Sequence, residues 1–171
     1  MATATGGLIE RMKNAALLDV DTYEAVEHDE GATRQAAMVV GLVAIAQGIA
    51  SSGEGLAAVL AGVVAALLGW LLWAGITYLI GDKLLGGTAT WGELLRTLGF
   101  AQSPGVLYVF GIIPLFGGLL RAAVAIWILI AGIIAIRQAL DFGTGRAVAT
   151  AVLGWLAIAI PVAVMAAVAG G

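Results

Sequence analysis

The chain has 171 residues and a net charge of −3, and 61% of its residues are hydrophobic while only 11% are charged. Soluble domains carry about 25% charged residues, so this composition predicts one membrane domain and excludes both a water-soluble fold and a basic nucleic-acid surface. The absence of cysteine excludes disulfides, thiolate nucleophiles and zinc–sulfur sites.

Residues 1–33 are predicted to form a cytoplasmic N-terminal arm of two short helices. The apolar side chains between Leu8 and Ala16 fall near one face, which predicts a short amphipathic helix lying on the membrane surface. Asp21, with Glu24 three residues later, predicts a capping box that starts the second helix.

The arm is strongly acidic, and its charged side chains have two alternative interpretations. They form either a binding site for a basic protein partner or a solvated linker, and the solvated linker is favoured. A divalent-cation or pH-sensing role for His28 among its carboxylates is disfavoured, because consecutive residues rarely converge on one ion. The candidate partner-binding residues are Asp21, Glu24, Glu27, His28, Asp29 and Glu30.

Residues 34–171 are predicted to form a five-span transmembrane domain. A hydrocarbon core of about 30 Å needs about 20 helical residues, and five apolar segments approach this length. These segments are residues 35–50, 56–80, 98–116, 118–136 and 147–169. The fold class is therefore an all-α, polytopic five-transmembrane-helix bundle with an acidic arm, in which the third and fourth spans form a helical hairpin.

The positive charges predict how the chain is threaded. Seven of the eight Lys and Arg residues lie in residues 1–34 and in the loops 81–97 and 137–146, whereas Arg121 lies on the other side. The positive-inside rule then predicts a cytoplasmic N-terminus and an external C-terminus. The expected location is the cell inner membrane. The other loop charges, including Arg96, are expected to stay solvated. Glu54 and Arg121 are either paired or separately solvated.

The third span is expected to be the least regular. Pro104 has no N–H to donate to the carbonyl of Phe100, so Gln102 and Ser103 are the predicted local donors. Gly99 is expected to permit close approach to a neighbouring span, with Phe100 wedged between helices.

Two short stretches of the sequence resemble the Yip-one domain family. The run from Leu94 to Pro104 contains a glycine–aromatic pair followed by a proline, and Trp127 precedes an Ala-x-Arg-x-Ala-like end of the fourth span. The resemblance implies a five-span bundle, and in eukaryotic relatives it implies small-GTPase binding and membrane shaping. The Cys-free, Gly- and Ala-rich chain is similar to a prokaryotic member, for which vesicle transport does not carry over. The motif residues are Gly99, Phe100, Pro104, Trp127 and Arg137.

These features predict a non-enzymatic membrane scaffold or adaptor. It would bind membrane lipid and a membrane or cytoplasmic protein partner, or form a homo-oligomer, with no cofactor, metal or catalytic site and no nucleic acid. The alternative is a small-molecule, ion or lipid transporter or channel, whose cavity the broken third span would line. The lack of ionisable residues deep in the spans counts against proton-coupled transport and against an intramembrane enzyme.

Overall fold

Helices account for every regular element that the structure describes. The structure is a computed structural model that describes residues 6–50, 55–113 and 116–169, without the side chains of residues 162, 166, 168 and 169. A π-helical segment, Leu79–Leu84, extends α4, and a 3₁₀ helix, Ser103–Ile112, follows α5. The α-helices are α1 Leu8–Ala16, α2 Val20–His28, α3 Ala32–Ala50, α4 Gly55–Tyr78, α5 Trp91–Ala101, α6 Gly117–Ala139 and α7 Thr144–Ala169. The predicted all-α class is confirmed.

Four of the described helices are long and apolar enough to cross a membrane. They are Ala32–Ala50, Gly55–Leu84, Gly117–Ala139 and Thr144–Met165. The remaining predicted span, residues 98–116, is divided between α5 and the 3₁₀ helix, and neither piece alone reaches the length of about 20 residues that a span needs. A fifth crossing would require both pieces in series, so the five-span count stays a prediction.

The helix α5 begins well before the predicted span because its N-terminus carries a capping box. The Thr90 hydroxyl accepts a hydrogen bond from the Glu93 N–H at 3.3 Å, and the Glu93 carboxylate accepts one from the Thr90 N–H at 2.7 Å. These reciprocal bonds satisfy two N–H groups that a helix start leaves unpaired. The predicted loop 81–97 is therefore wrong over most of its length, since only residues 85–90 lie between helical segments.

The helix α5 lies inside the bundle, and α4 lies at its edge. Residues 94–101 of α5 are all buried, whereas the buried residues of α4 are Trp70, Ala74 and Thr77. The 3₁₀ helix packs against α3 and α6, and its first three residues, Ser103 to Gly105, are buried. The centre of the bundle is thus formed by α3, α5, the 3₁₀ helix and part of α6.

Glycines allow this centre to pack closely. A Cβ atom at Gly99 would lie 2.6 Å from the Cβ of Ala36, and one at Gly105 would lie 2.5 Å from a methyl of Val43. A Cβ at Gly117 would overlap the Gly111 carbonyl oxygen, where the 3₁₀ helix turns back into α6. Small residues at such contacts let helix backbones approach where no hydrophobic force drives association.

Candidate functional site

The N-terminal arm is folded onto the bundle. Both predicted short helices are present: α1 packs on α5 and the 3₁₀ helix, and α2 packs on α5 and α6. The helix α2 is capped by Asp19, whose carboxylate accepts hydrogen bonds from the N–H and the hydroxyl of Thr22 at 3.2 and 2.5 Å. The predicted capping box at Asp21 is therefore wrong, because Asp21 already lies in the first turn of the helix.

Two aromatic side chains donate hydrogen bonds to the C-terminus of α1. The Tyr23 hydroxyl donates to the Ala15 carbonyl at 3.0 Å, and the Trp127 indole N–H donates to the Ala16 carbonyl at 2.7 Å. Terminal carbonyls need such partners, above all where water is excluded. Since Trp127 lies near the middle of α6, the C-terminus of α1 packs against the bundle. The expectation that α1 lies on the membrane surface stays a prediction.

A buried guanidinium holds the C-terminus of α2. Arg96 is only 7% exposed, and its Nε donates to the carbonyls of Val26 at 3.0 Å and Glu27 at 2.8 Å, while its Nη2 also donates to the Glu27 carbonyl. A positive charge at this position also complements the negative end of the helix dipole. The expectation that Arg96 is a solvated loop charge is wrong.

Two further arginines join separate segments. Arg121 donates from Nη2 to the Ala50 carbonyl, the last of α3, at 3.2 Å. Arg11 donates to the Gln35 side chain at 3.1 Å and forms an ion pair with Asp29 at 2.7 Å. Glu54, the other charge predicted on the far side, lies outside the described residues.

The acidic residues of the arm have different environments. The Arg11 guanidinium holds the pKa of Asp29 below its usual range. The pKa of the half-buried Glu27 is raised to about 7, chiefly by burial. His28 opposes this shift, and Glu93, Asp141 and Glu24 add to it.

The other arm residues are more accessible to solvent. The hydrogen bond between the His28 ring and the Glu24 carbonyl, 2.9 Å long, raises the pKa of His28. Asp21 and Glu30 are exposed. No group of three or more His, Asp or Glu side chains that could hold a metal ion occurs in residues 6–50, 55–113 and 116–169.

The end of α6 is connected to the arm by side chains. Arg137 donates from Nε to the Gln138 side-chain oxygen at 3.1 Å, and Gln138 in turn donates to the Glu24 carboxylate at 3.0 Å. Asp141 accepts a hydrogen bond from the Thr88 hydroxyl at 2.7 Å in the same region. The arm, the loop before α5 and the end of α6 thus form one polar surface.

The change from α5 to the 3₁₀ helix, here called the helix break, occurs at Gln102. The Ser103 hydroxyl donates to the Phe100 carbonyl at 2.6 Å, as the sequence predicts for a carbonyl freed by Pro104. The backbone N–H of Gln102 donates to the Gly99 carbonyl at 3.2 Å, and the described residues show no hydrogen bond from the predicted second donor, the Gln102 side chain, to Phe100. Phe100 is fully buried.

Two cavities meet at the helix break. The larger, of about 600 Å³, lies among α4, α5, α6 and α7, and the smaller, of about 210 Å³, lies between α3 and α4. Gln102 and Trp73 line both. The break that Pro104 imposes on the backbone therefore places an amide side chain beside an apolar space.

A comparison with protein-family models shows the family to which this chain belongs. It matches the family model of the Yip1 (Yip-one) domain over residues 22–166, which is most of the chain. The chain belongs to the Yip1-domain family. With its long apolar helices, it is a multi-pass membrane protein. No curated protein and no solved structure gives a match.

The Yip1 match covers the structural features described above. It begins within α2 and includes Arg96, the helix break, Trp127 and Arg137. The Yip1 family is not known as enzymatic. The functional roles of the motif residues Gly99, Phe100, Pro104, Trp127 and Arg137 stay predictions, as does the division of the chain after residue 33.

Some residues that fix the arm were missed by the sequence interpretation. Tyr23 was not singled out, and Arg96 was counted as a loop charge, yet each donates to the C-terminus of an arm helix. The sequence indicates only that donors must exist, since every helix end in a membrane protein needs donors for its last carbonyls. The sequence does not show which distant side chain supplies them.

Proposed function

We propose that this Yip1-domain protein is a non-enzymatic membrane scaffold that binds a basic segment of a protein partner at its cytoplasmic surface. The observation that carries the proposal is the docked arm, which holds Glu27 close enough to Glu24, Glu93 and Asp141 for these carboxylates to raise its pKa. Complementary charge favours association with a basic segment. A surface that is already ordered also loses less entropy on binding than a free acidic arm would.

The proposed orientation places this acidic surface in the cytoplasm, with the C-terminus outside and the protein in the inner membrane of a prokaryotic cell. The distribution of Lys and Arg supports it, because seven of the eight lie in residues 1–34 or in the two predicted loops on the same side. A reporter fused after Gly171 is expected to be active only outside the cytoplasm. Cytoplasmic activity would contradict the external C-terminus and, with a cytoplasmic N-terminus, the five-span count.

Site-specific photo-crosslinking in cells tests the scaffold proposal. A photoreactive amino acid replaces the exposed Asp21, and a control places it at Leu60, which is exposed on the lipid-facing helix α4. We expect a discrete protein adduct from position 21 that is lost when Glu24→Lys and Asp141→Lys reverse the surface charge. An adduct of twice the chain mass would identify a second copy as the partner.

The scaffold proposal fails if position 21 yields only the adducts that position 60 yields, or if the charge reversal leaves the position-21 adduct unchanged. Thermal unfolding of the charge-reversed variant in detergent provides the folding control. Both substituted side chains are exposed, but each accepts a hydrogen bond, Glu24 from Gln138 and Asp141 from Thr88. The variant is therefore expected to lose about 1–2 kcal/mol of stability and to remain folded.

A transporter or channel for small molecules, ions or lipids is the second candidate. The helix break beside an apolar cavity favours it, because broken helices commonly line transport sites. None of the described residues that line the cavity is ionisable, which counts against ions and protons as the transported species. Solute or lipid flux in liposomes containing the purified protein tests this function, and flux equal to that of empty liposomes would exclude it.

A further inference from the structure

The larger cavity has the size and position of a membrane-embedded ligand site. Its volume of about 600 Å³ falls within the range of roughly 300–1,000 Å³ that small-molecule sites occupy. Most of its wall comes from α6 and α7, and α5 forms its inner side. The lining residues are Trp73, Leu98, Ala101, Gln102, Ala125, Ile128, Leu129, Gly132, Ile133, Ile136, Val148, Ala151, Val152 and Trp155.

The cavity extends over about half of a membrane crossing. Along α6 its lining runs from Ala125 to Ile136, which corresponds to roughly 16 Å of helix against a hydrocarbon core of about 30 Å. Along α7 the lining runs from Val148 to Trp155. The space therefore suits an apolar body about as long as one leaflet is deep.

One side of the cavity meets the surrounding lipid. Leu129, Val152 and Trp155 line it and are exposed, Trp155 by 62%, whereas Leu98 and Ile136 on the inner side are buried. A molecule dissolved in the hydrocarbon region can thus enter between α6 and α7 without passing through water. The medium that supplies a ligand to this cavity is the bilayer.

Gln102 distinguishes the cavity from an ordinary lipid-facing groove. Its amide carries both donors and an acceptor, and no hydrogen bond to this amide is found within the part of the chain that the structure describes. An amide in apolar surroundings is costly without a partner. No charged side chain lies among the described lining residues, so a phosphate or carboxylate headgroup would find no counter-charge there.

We propose that this cavity binds a neutral, single-chain lipid whose uncharged oxygen hydrogen-bonds to the Gln102 amide. The apolar body lies along α6, and the oxygen-bearing end lies near Trp73. A ring carbonyl, as in a quinone, and a hydroxyl, as in a long-chain alcohol, supply the same chemistry. The inference requires only binding, so it is independent of the scaffold proposal and does not require transport.

Binding of a decyl-substituted benzoquinone to the full chain in detergent tests the proposal. The quinone is expected to quench tryptophan fluorescence saturably, because Trp73 and Trp155 line the cavity. Dodecanol is the second probe, and its displacement of the quinone would show that a hydroxyl can also occupy the site beside Gln102. Binding of the quinone without displacement by dodecanol would assign the site to carbonyl ligands. Lysophosphatidylglycerol is the charged comparison and is expected not to displace the quinone.

Three variants relate the signal to the cavity. Gln102→Leu removes the amide and is expected to weaken quinone affinity about five- to tenfold, the loss of roughly one hydrogen bond. Gly132→Leu is expected to abolish saturable binding, because a Cβ at Gly132 meets no atom within 4 Å and the new side chain fills the cavity without a backbone clash. Gly62→Leu is the matched control, since Gly62 is also free of neighbours within 4 Å but does not line the cavity.

Several outcomes would overturn the proposal. The first is non-saturable quenching of tryptophan fluorescence in the unsubstituted chain, and the second is an equal effect of Gly132→Leu and Gly62→Leu on quinone binding. The third is an unchanged quinone affinity in Gln102→Leu. The fourth is displacement of the quinone by lysophosphatidylglycerol as effectively as by dodecanol. Thermal unfolding of each variant confirms folding. Gln102→Leu replaces an unpaired amide with an apolar side chain and should retain full stability.

Discussion

The helices α4 and α5 are both apolar, yet they occupy opposite environments in this protein. On the 24-residue helix α4 the buried residues are Trp70, Ala74 and Thr77, whereas eight successive residues of α5 are buried. The longer and more hydrophobic helix is therefore the more exposed of the two, because lipid is as apolar as the protein interior. Hydropathy identifies which segments avoid water, but it does not show which segments face protein.

The features that bring α5 inside are small and polar residues. Gly99 lets α5 approach α3, Thr97 donates from its hydroxyl to the Glu93 carbonyl at 2.9 Å, and Arg96 binds the arm. By contrast, α4 presents large aliphatic side chains such as Leu60 and Leu68 to the lipid. Matched substitutions in the inner and lipid-facing positions test this difference.

The largest expected effect is that of Gly99→Leu. The new side chain would overlap Ala36, so we expect a loss of about 3 kcal/mol or more in the free energy of unfolding, or a failure to fold. The matched variant Gly62→Leu adds the same side chain on α4 with no atom within 4 Å of its Cβ, and it should change stability by less than about 0.5 kcal/mol. Folding yield and thermal unfolding in detergent measure both. Similar values for the two variants would contradict the inner position of α5.

The second effect concerns the buried guanidinium. Arg96→Met leaves the carbonyls of Val26 and Glu27 without their donor, and we expect a loss of about 2–3 kcal/mol together with faster amide exchange in α2. Arg146→Met is the control, because Arg146 is exposed and stacks on Phe142 at 4.2 Å from the ring centroid. The control should cost no more than about 1 kcal/mol. Unchanged exchange in α2 after Arg96→Met would show that the arm is held by other contacts.

A smaller effect is expected from Trp127→Phe. It removes the donor to the Ala16 carbonyl and should cost about 1 kcal/mol, with faster amide exchange in the last turn of α1. Trp155→Phe changes a lipid-facing ring that is 62% exposed and should leave both measurements unchanged. Equal exchange in α1 for the two variants would mean that Trp127 does not hold the arm.

The smallest effect is a pH dependence of arm docking. The pKa of Glu27 is raised from 4.5 to about 7, chiefly by burial, so the protonated form favours the folded arm. Its contribution to stability is complete below pH 4.5 and is lost as the pH rises through about 7. His28, whose pKa is also raised, contributes in the same direction.

The Glu27 contribution is isolated by comparing variants. Amide exchange in α2 is measured between pH 4.5 and 7.5 and corrected for intrinsic exchange. Glu27→Gln should reduce the pH dependence of this exchange. Glu30→Gln alters an exposed carboxylate and should leave the pH dependence unchanged. The interpretation of Glu27 fails if both variants retain the pH profile of the unsubstituted chain.

The sequence contained enough information for four apolar helices and for the helix break. These depend on local causes: the length of each apolar segment, and the missing N–H of Pro104 with Ser103 beside it. The start of α5 was also encoded locally, by Thr90 and Glu93, but the surrounding residues were interpreted as a loop. The error at Asp21 has the same origin, since Asp19 offers an equivalent carboxylate two residues earlier.

The docking of the arm could not be predicted in this way. Arg96 donates to the Val26 carbonyl and Trp127 donates to the Ala16 carbonyl, across sequence separations of 70 and 111 residues. Hydropathy gives no information about such pairs. An arginine near a span end is expected at the headgroups whether or not a helix terminus lies beside it. The cavity is also a result of packing among four elements, so Gln102 could be recognised as a polar residue at membrane depth but not as part of a ligand site.

The long-range bonds of the arm impose an order on biogenesis. Ala16 leaves the ribosome 111 residues before Trp127, which at about 5–20 residues per second is an interval of roughly 6–22 s. The terminal carbonyls of α2 and α3 likewise have no donor until Arg96 and Arg121 have been translated. The arm therefore completes its folding only after α6 has been translated. A chain truncated before α6 would keep Arg96 beside α2 but would leave the Ala16 carbonyl of α1 without its donor.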